Sequence, residues 1–105
     1  MTTIVHKADV GTVFELTIND ADGDAIDVSS ATVKYIYFQK PDYTLVKKTA
    51  SFKTDGTDGI IKYTTIANDI NLVGTWMVQG YVETTDGKFF TEKKEFEVET
   101  TLYTT

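Results

Sequence analysis

Apolar and polar residues alternate along most of this chain with a period of two, the period at which successive side chains of a β-strand point to opposite faces. The alternation is clear from Phe14 through Leu16 to Ile18 and again over residues 95–99. No window of a dozen residues has helical spacing, and the best helical candidate is one turn over residues 67–70, which we expect to cross between sheets. The pattern predicts an all-β protein.

Turn signals divide the alternating segments into short strands. Asp-Gly pairs supply the positive φ that tight hairpins need, and the chain has them at residues 22–23, 55–56, 58–59 and 86–87. The predicted strands are 3–7, 11–19, 25–28, 32–40, 45–53, 60–66, 75–84 and 88–99. The last two form a hairpin, and 3–7 and 25–28 carry the weakest signals. Seven to eight short strands with turns at this spacing are typical of an antiparallel β-sandwich.

Composition agrees with strands and with a single folded domain. Threonine, valine and isoleucine occur 19, 10 and 8 times against 4 leucines, and β-branched side chains pack well on a pleated surface. A chain of 105 residues with 12% aromatics is the size of one domain and unlike a disordered segment. We place the domain at residues 1–99 and a polar C-terminal tail at 100–105.

Charge and residue types exclude several function classes. The chain has ten lysines, no arginine, sixteen acidic residues and a net charge of −6, so it lacks the basic footprint of a nucleic-acid-binding protein. No cysteine is present, which excludes a disulfide framework, a thiolate nucleophile and a zinc finger. No apolar run is long enough for a transmembrane helix. No secretory signal follows Met1, and we expect a complete product made in the cytoplasm, without membrane insertion.

Several stretches in a fixed order carry a family resemblance. They are residues 11–16, 28–33, 40–42, 54–63 and 74–79, followed by Asp86-Gly87-Lys88. Each is a turn signal with a strand, and together they resemble the immunoglobulin-like N-terminal domain of bacteriophage baseplate upper proteins and related small Ig-like virion proteins. The resemblance covers residues 4–99 and implies a single antiparallel Ig-like β-sandwich without catalysis. Larger baseplate proteins continue into further domains, whereas this chain stops, as a stand-alone decoration or connector protein would.

The densest acidic cluster has two interpretations. Asp20, Asp22 and Asp24 present alternating carboxylates that suit a hard cation such as calcium. Their spacing departs from the EF-hand loop, and aspartate and glycine together also serve as ordinary turn chemistry. Asp55 and Asp58 repeat the ambiguity. We favour the turn interpretation and expect neither a metal nor any other cofactor.

Catalytic residues are hard to find in this sequence. His6 is the sole histidine and the serines are Ser29, Ser30 and Ser51, with no context that suggests a nucleophile, base and orienting acid in mutual reach. A surface histidine and no enzymatic activity are therefore expected. Trp76 alternates in phase with the apolar residues after it, which favours a core anchor over the alternative, an exposed sugar-stacking tryptophan.

Residues 33–38 break the alternation because they are apolar on both faces. We assign Val33 and Tyr35 to the core. The predicted core is Phe14, Leu16, Ile18, Val33, Tyr35, Phe52, Ile61, Tyr63, Trp76, Val82, Phe96 and Val98. The opposite phase, together with neighbouring strands, then forms an outward patch that we predict to be a protein interface: Ile36, Phe38, Met77, Tyr81 and Phe89. Cover by loops or by the tail, or a shifted register, is the alternative.

The resemblance and the predicted patch lead to one functional expectation. The protein is a non-enzymatic structural component of a tailed-phage virion, in the baseplate, tail or capsid surface, assembled in the host cytoplasm. Its partners are other virion proteins and copies of itself in a symmetric assembly, with no nucleic acid. The alternative is an Ig-like module that binds carbohydrate or the host surface, which aromatic side chains lining one face would favour.

Overall fold

A computed structural model of the chain describes residues 3–7 and 9–100, and the described residues form nine strands in two sheets. The strands are β1 (Thr3–His6), β2 (Val13–Thr17), β3 (Val33–Gln39), β4 (Leu45–Thr49), β5 (Ser51–Phe52), β6 (Ile60–Thr64), β7 (Gly74–Thr84), β8 (Gly87–Phe90) and β9 (Lys94–Glu99). The all-β prediction is confirmed. Among these residues no helix has the length and apolarity to cross a membrane. Residues 101–105 of the predicted tail lie outside the described part.

The large sheet has the strand order β1-β9-β7-β3-β4, with β8 also paired to β7. All its pairs are antiparallel except β1 with β9, which is parallel. Strand β9 pairs with the first half of β7 and β8 pairs with its last four residues. Between them the Thr91 hydroxyl accepts a hydrogen bond from Gly80 N at 2.8 Å, and Thr91 N donates to Gly80 O at 3.0 Å. This side-chain bond interrupts the ladder, so the predicted strand 88–99 is two strands.

The small sheet has the order β2-β6-β5. Its strand β5 is the second part of a segment that was predicted as a single strand. The segment predicted as one strand over 45–53 divides at buried Ala50, with β4 in the large sheet and β5 in the small one. The predicted strand 25–28 is absent, since its pairing is limited to one bridge between Asn19 and Ala25. Residues 67–70 form a turn without a helix, and they carry the chain from the small sheet back to the large sheet.

The core lies between the inner faces of the two sheets and is rich in aromatic rings. Its buried apolar residues are Val5, Leu16, Ile18, Val28, Ile36, Phe38, Ala50, Ile61, Ile70, Trp76, Val78, Val82, Phe96 and Val98. Phe38 is central, with ring centroids 5.3 Å from Phe14 and 6.3 Å from both Trp76 and Phe96. The predicted core positions are confirmed as buried, or as partly buried and packed against this cluster, except for two on β3.

The side-chain phase of β3 was predicted wrongly. Ile36 and Phe38 are 0% and 4% exposed and belong to the core, whereas Tyr35 lies on the opposite face with Val33. Partner strands decide the phase, because Phe38 pairs with inward Val78 and Ile36 pairs with Gly80. Gly80 leaves no room beside it, since an added Cβ would lie 2.9 Å from the Ile61 side chain. Tyrosine also suits the outer face because a buried hydroxyl needs a hydrogen-bond partner.

Candidate docking face

The outer face of the large sheet is the surface that points away from the small sheet. Residues paired across neighbouring strands share a face, so the inward positions of β3 and β7 place the alternate residues outward. The outer face comprises Ile4, His6, Val33, Tyr35, Tyr37, Gln39, Leu45, Lys47, Thr49, Thr75, Met77, Gln79, Tyr81, Glu83, Lys88, Phe90, Glu95, Glu97 and Glu99.

The structure divides the five predicted patch residues between two faces. Met77 and Tyr81 lie on the outer face as predicted. Ile36 and Phe38 do not, because they are buried in the core. Phe89 pairs with buried Val82 and packs, partly buried, against the core, so it also faces inward.

Three aromatic residues of the outer face were missed from the sequence: Tyr35, Tyr37 and Phe90. A usable signal existed for Phe90. The hairpin between β7 and β8 has a two-residue turn, since Thr84 pairs with Gly87. Counting outward from that turn pairs Tyr81 with Phe90 and assigns Phe89 to the inner face. For Tyr35 and Tyr37 the signal was the hydroxyl group, which favours the outer face because a buried hydroxyl needs a hydrogen-bond partner.

The aromatic residues of the outer face contact one another. Tyr81 and Phe90 have ring centroids 4.7 Å apart, and Tyr35 and Tyr37 have centroids 6.2 Å apart. Lys47 places its ammonium 4.5 Å above the Tyr35 ring, a cation–π contact. Phe90 is 58% exposed, so a large apolar side chain remains open to solvent at the β8 side of this cluster, next to Tyr81.

The Tyr81 hydroxyl donates a hydrogen bond to Glu83 Oε2 at 2.8 Å. Partial burial raises the pKa of Tyr81 to about 12, and the hydrogen bond and negative charge of Glu83 act in the same direction. Tyr81 is therefore a neutral hydrogen-bond donor throughout the physiological pH range. The aromatic centre of the outer face remains uncharged.

The outer face has a row of carboxylates at one end, and elsewhere it carries both signs of charge, since Glu83 pairs with Lys88. Glu95 and Glu97 pair with the start of β7 and Glu99 follows them, so three carboxylates stand in a row at one end. Lys88 pairs with the opposite end of β7, and Lys47 lies on β4 beside Tyr37. The ion pairs within the described residues lie elsewhere in the fold, between Lys48 and Asp69 and between Lys53 and Glu15.

The acidic turn uses its carboxylates for local structure. Asp20 Oδ1 accepts hydrogen bonds from the backbone N–H groups of Asp22 and Asp24, at 2.9 and 3.0 Å. Asp55 accepts from the hydroxyl and the backbone N–H of Thr57, and these bonds lower the pKa of Asp55. In the described part of the chain, no three acidic or histidine side chains are grouped to hold a metal ion. These bonds support the turn interpretation.

The other sequence candidates do not assemble a site. His6 is exposed, as predicted, and so are the three serines. Trp76 is 1% exposed and its indole N–H donates to Leu72 O at 3.0 Å, which confirms the core anchor and contradicts the sugar-stacking alternative.

A polar cluster at one end of the core joins the two sheets through the crossover. Asp69 accepts hydrogen bonds from the Tyr63 hydroxyl at 2.5 Å and from Ile66 N at 2.8 Å, and it lies 3.0 Å from Lys48 Nζ. Burial raises the pKa of Tyr63 to about 12, and Asp69 adds to the shift. For Asp69, burial acts to raise the pKa, but the three donors outweigh it and lower the pKa.

This Asp69 cluster borders a cavity of about 100 Å³. Every buried side-chain nitrogen and oxygen in the described residues has a hydrogen-bond partner. The buried polar atoms of the Asp69 cluster are thus paired with one another, and the cluster links the crossover to the two sheets.

The fold and the outer face define a class: a two-sheet all-β protein with an exposed aromatic surface. The family model of the BppU N-terminal domain matches residues 5–105, so the chain belongs to this family, the N-terminal domain of a phage baseplate upper protein. The resemblance inferred from the sequence is confirmed. Membership indicates a structural protein associated with the phage baseplate, hence a virion component that interacts with other virion proteins.

One similar solved structure is the crystal structure of CopC from Methylosinus trichosporium OB3b. It has a TM-score of 0.60 and 19% sequence identity, over 97% of this chain and 89% of that chain. At this identity the likeness shows a shared fold and nothing about activity. A search of curated proteins found no match.

Proposed function

We propose that this protein is a non-enzymatic structural component of a tailed-phage virion that assembles through the outer face of its large sheet. We take its fold to be an Ig-like sandwich, an assignment that is supported by two largely antiparallel sheets packing their inner faces together. The partners are other virion proteins, and assembly takes place in the host cytoplasm. A net charge of −6 without arginine favours protein partners over nucleic acid.

The exposed aromatic cluster is the observation that carries this proposal. Phe90 is 58% exposed and Leu45, on the edge strand of the same face, is 70% exposed. Burying one large apolar side chain stabilises by roughly 1.5–3 kcal/mol. A contact with a neighbouring protein recovers this free energy, and tyrosine, phenylalanine and methionine are enriched at interface centres.

Incorporation into particles tests the proposal. The double variant Tyr81→Asp with Phe90→Asp should keep its fold, because both side chains lie outward, but should be missing from washed virions. A matched control places the same charges across the small sheet, at the paired positions Val13→Asp and Thr64→Asp. Circular dichroism melting checks the fold of both variants, and mass spectrometry of purified particles measures incorporation. Normal incorporation of a folded Tyr81→Asp, Phe90→Asp variant would sink the proposal.

Carbohydrate binding is a second candidate, because aromatic rings on an accessible face also stack on sugars. The Tyr35 and Tyr37 rings lie on this face, partly exposed. A glycan array on the isolated protein separates the two candidates. Binding that is lost in Tyr35→Ala and Tyr37→Ala variants, with incorporation unchanged, would favour the sugar-binding function.

A further inference from the structure

The free edge of β4, at one side of the large sheet, has backbone groups that no described residue satisfies. Strand β4 pairs on one side only, with β3. Ala50 N donates to Lys34 O, so the even-numbered residues of β4 are the ones that bond to β3. The N–H and C=O groups of Leu45, Lys47 and Thr49 point away from the sheet, and the described residues form no hydrogen bond with them. An edge of this kind is completed by an added strand.

The other sheet edges leave one comparable site. At the end of β1, His6 N donates to Asp9 Oδ2 and Asp9 N donates to His6 O, so local bonds use the groups that face outward there. Strand β5 has only two residues. Strand β2 has an open edge at Val13, Glu15 and Thr17, because its even-numbered residues bond to β6. Among the described strands, β4 and β2 therefore have room for a further strand.

Charge distinguishes the β4 edge from the β2 edge. Residues 43–54 contain three lysines and no acidic residue, in a chain whose net charge is −6. Lys47 is exposed, and no carboxylate of the described residues forms an ion pair with it. At the β2 edge the charged residue is Glu15, and Lys53 Nζ already lies 3.4 Å from its carboxylate. The β4 edge thus has an unpaired positive charge, which selects a strand that carries carboxylates.

The outer-face side chains of β4 define what the added strand needs. Leu45, Lys47 and Thr49 lie on the outer face, and Leu45 is 70% exposed. Side chains directly opposite one another on adjacent strands have Cβ atoms about 4.5–5.5 Å apart, close enough to pair. An apolar side chain beside Leu45 and a carboxylate beside Lys47 are two positions apart on the added strand. The complementary segment is therefore extended, with one residue between an apolar and an acidic residue.

We infer that an extended acidic segment of another virion protein adds to the large sheet along the free edge of β4. This inference rests on the proposed function, since it names the chemistry of the partner at the border of the outer face. A second copy of the chain matches this edge less well. Its β4 would oppose lysine with lysine, and Glu15 on its β2 already contacts Lys53.

Amide hydrogen exchange in purified particles tests the inference before the partner is identified. In the isolated protein the amides of Leu45, Lys47 and Thr49 should exchange fast, and the alternate amides, which bond to β3, should exchange slowly. In washed virions the three open amides should be protected by about tenfold or more. Mass spectrometry of fragments that cover β4 measures the exchange. The β2 edge is the internal control, and its exchange should change less.

Synthetic peptides test the chemistry of the β4 edge in the isolated protein. In the acidic probe threonine alternates with valine, glutamate and valine, and the basic probe has lysine in place of glutamate. Nuclear magnetic resonance should show that the acidic probe protects the three open amides. Lys47→Glu should weaken binding of the acidic probe by about fivefold or more, since an attraction becomes a repulsion. Thr49→Pro should also weaken it, because proline removes an edge N–H that β3 does not use.

Matched controls make the same changes on the small sheet. Lys62→Glu makes the same charge change on β6, and Thr17→Pro removes the corresponding N–H at the β2 edge. Both should bind the acidic probe as the unmodified protein does. Circular dichroism melting checks that each variant is folded.

Several results would overturn the inference. Slow exchange of the three open amides in the isolated monomer would show that the edge is covered within the chain. Protection that appears only on self-association would identify a second copy as the occupant. Unprotected β4 amides in virions would exclude strand addition, and equal binding of the two probes would exclude the acidic partner.

Particle incorporation separates the inference from the proposed function. If the β4 edge stays unprotected in virions while Tyr81→Asp with Phe90→Asp is missing from them, the inference fails and the proposed function stands. If the unmodified protein is absent from virions, the proposed function fails, and an edge that does not bind the acidic probe shows that the inference fails on its own account.

Discussion

The two faces of the large sheet are built from the same strands, and both carry large apolar side chains. On β3 the inner positions Ile36 and Phe38 are at most 4% exposed. The alternate residues of the same strand, Tyr35 and Tyr37, lie on the outer face. Neither inner side chain has a polar atom, whereas each outer one has a hydroxyl. The difference teaches that side-chain chemistry, more than overall hydropathy, separates a core face from an interaction face in a strand that is apolar on both sides.

The largest expected difference in stability is between two variants, one with a carboxylate on the inner face of β3 and one with a carboxylate on its outer face. Phe38→Asp should unfold the protein, because removing a buried phenylalanine costs about 3–5 kcal/mol and the new carboxylate has no partner. A small domain has about 5–15 kcal/mol in total. Tyr37→Asp, on the neighbouring outer position, should cost about 1 kcal/mol or less.

Urea unfolding, monitored by the fluorescence of Trp76, measures the free energy of unfolding of both variants. This experiment also decides the phase of β3, since the interpretation from sequence alone expected Phe38→Asp to leave the fold intact. Equal stability of the two variants would contradict the assignment of Phe38 to the core face and Tyr37 to the outer face.

A smaller effect is expected at the inner edge of the sheet, where Lys48 contacts Asp69. Asp69→Asn should lower the free energy of unfolding by about 1–3 kcal/mol, because half-buried Lys48 loses its charged partner and the Tyr63 hydroxyl loses a charged acceptor. The pKa of Asp69 is lowered in the folded protein. Its contribution is therefore fully present above the unfolded pKa of about 3.9 and is lost as pH falls through the lower folded pKa.

The pH dependence sharpens this test. The stability difference between the unmodified protein and Asp69→Asn should be constant above about pH 5 and should shrink below about pH 4. Urea titrations from pH 7 to pH 3 measure it. A difference that grows on acidification would contradict the lowered pKa of Asp69.

Milder changes on the outer face should separate the stability of the fold from incorporation into particles. Tyr81→Ser with Phe90→Ser should change the free energy of unfolding by about 1 kcal/mol or less, since these rings contact each other and solvent. Incorporation into particles should nevertheless fall measurably. Melting temperature and incorporation are compared for the same variant, and a large loss of stability with unchanged incorporation would reverse the assigned roles of the two faces.

The acidic turn lies on neither face, so it serves as the reference with the smallest expected effect. A chelator should leave the melting temperature unchanged, because Asp20 bonds to backbone N–H groups of its own turn. Calorimetric melting with and without added calcium measures this. A clear calcium-dependent rise would establish a cation site at Asp20, Asp22 and Asp24.

Much of this protein was determined by local sequence. The period of two identifies strands because successive residues of an extended chain point to opposite sides. The Asp-Gly pairs mark turns. In these turns Asp55 accepts a hydrogen bond from the backbone N–H of Thr57, and Asp20 accepts from the backbone N–H groups of Asp22 and Asp24. A two-residue turn also places Phe90 on the face of Tyr81 and Phe89 on the opposite face, whether its central residues are 86–87 or, as observed, 85–86. These features depend on neighbours in the chain, so the sequence contains them.

The tertiary structure decided the rest. A period of two defines two faces of β3. The tyrosine hydroxyls favour one of them as the outer face, but Tyr63 packs against the core with its hydroxyl bonded to Asp69, so a hydroxyl alone does not decide the face. Which face of β3 meets the second sheet depends on Val78 and Gly80 of a distant strand. Buried Ala50 likewise divides one apparently continuous strand between two sheets. Such choices depend on how segments far apart in sequence share the core, because burial is a property of the packed layers and not of any single strand.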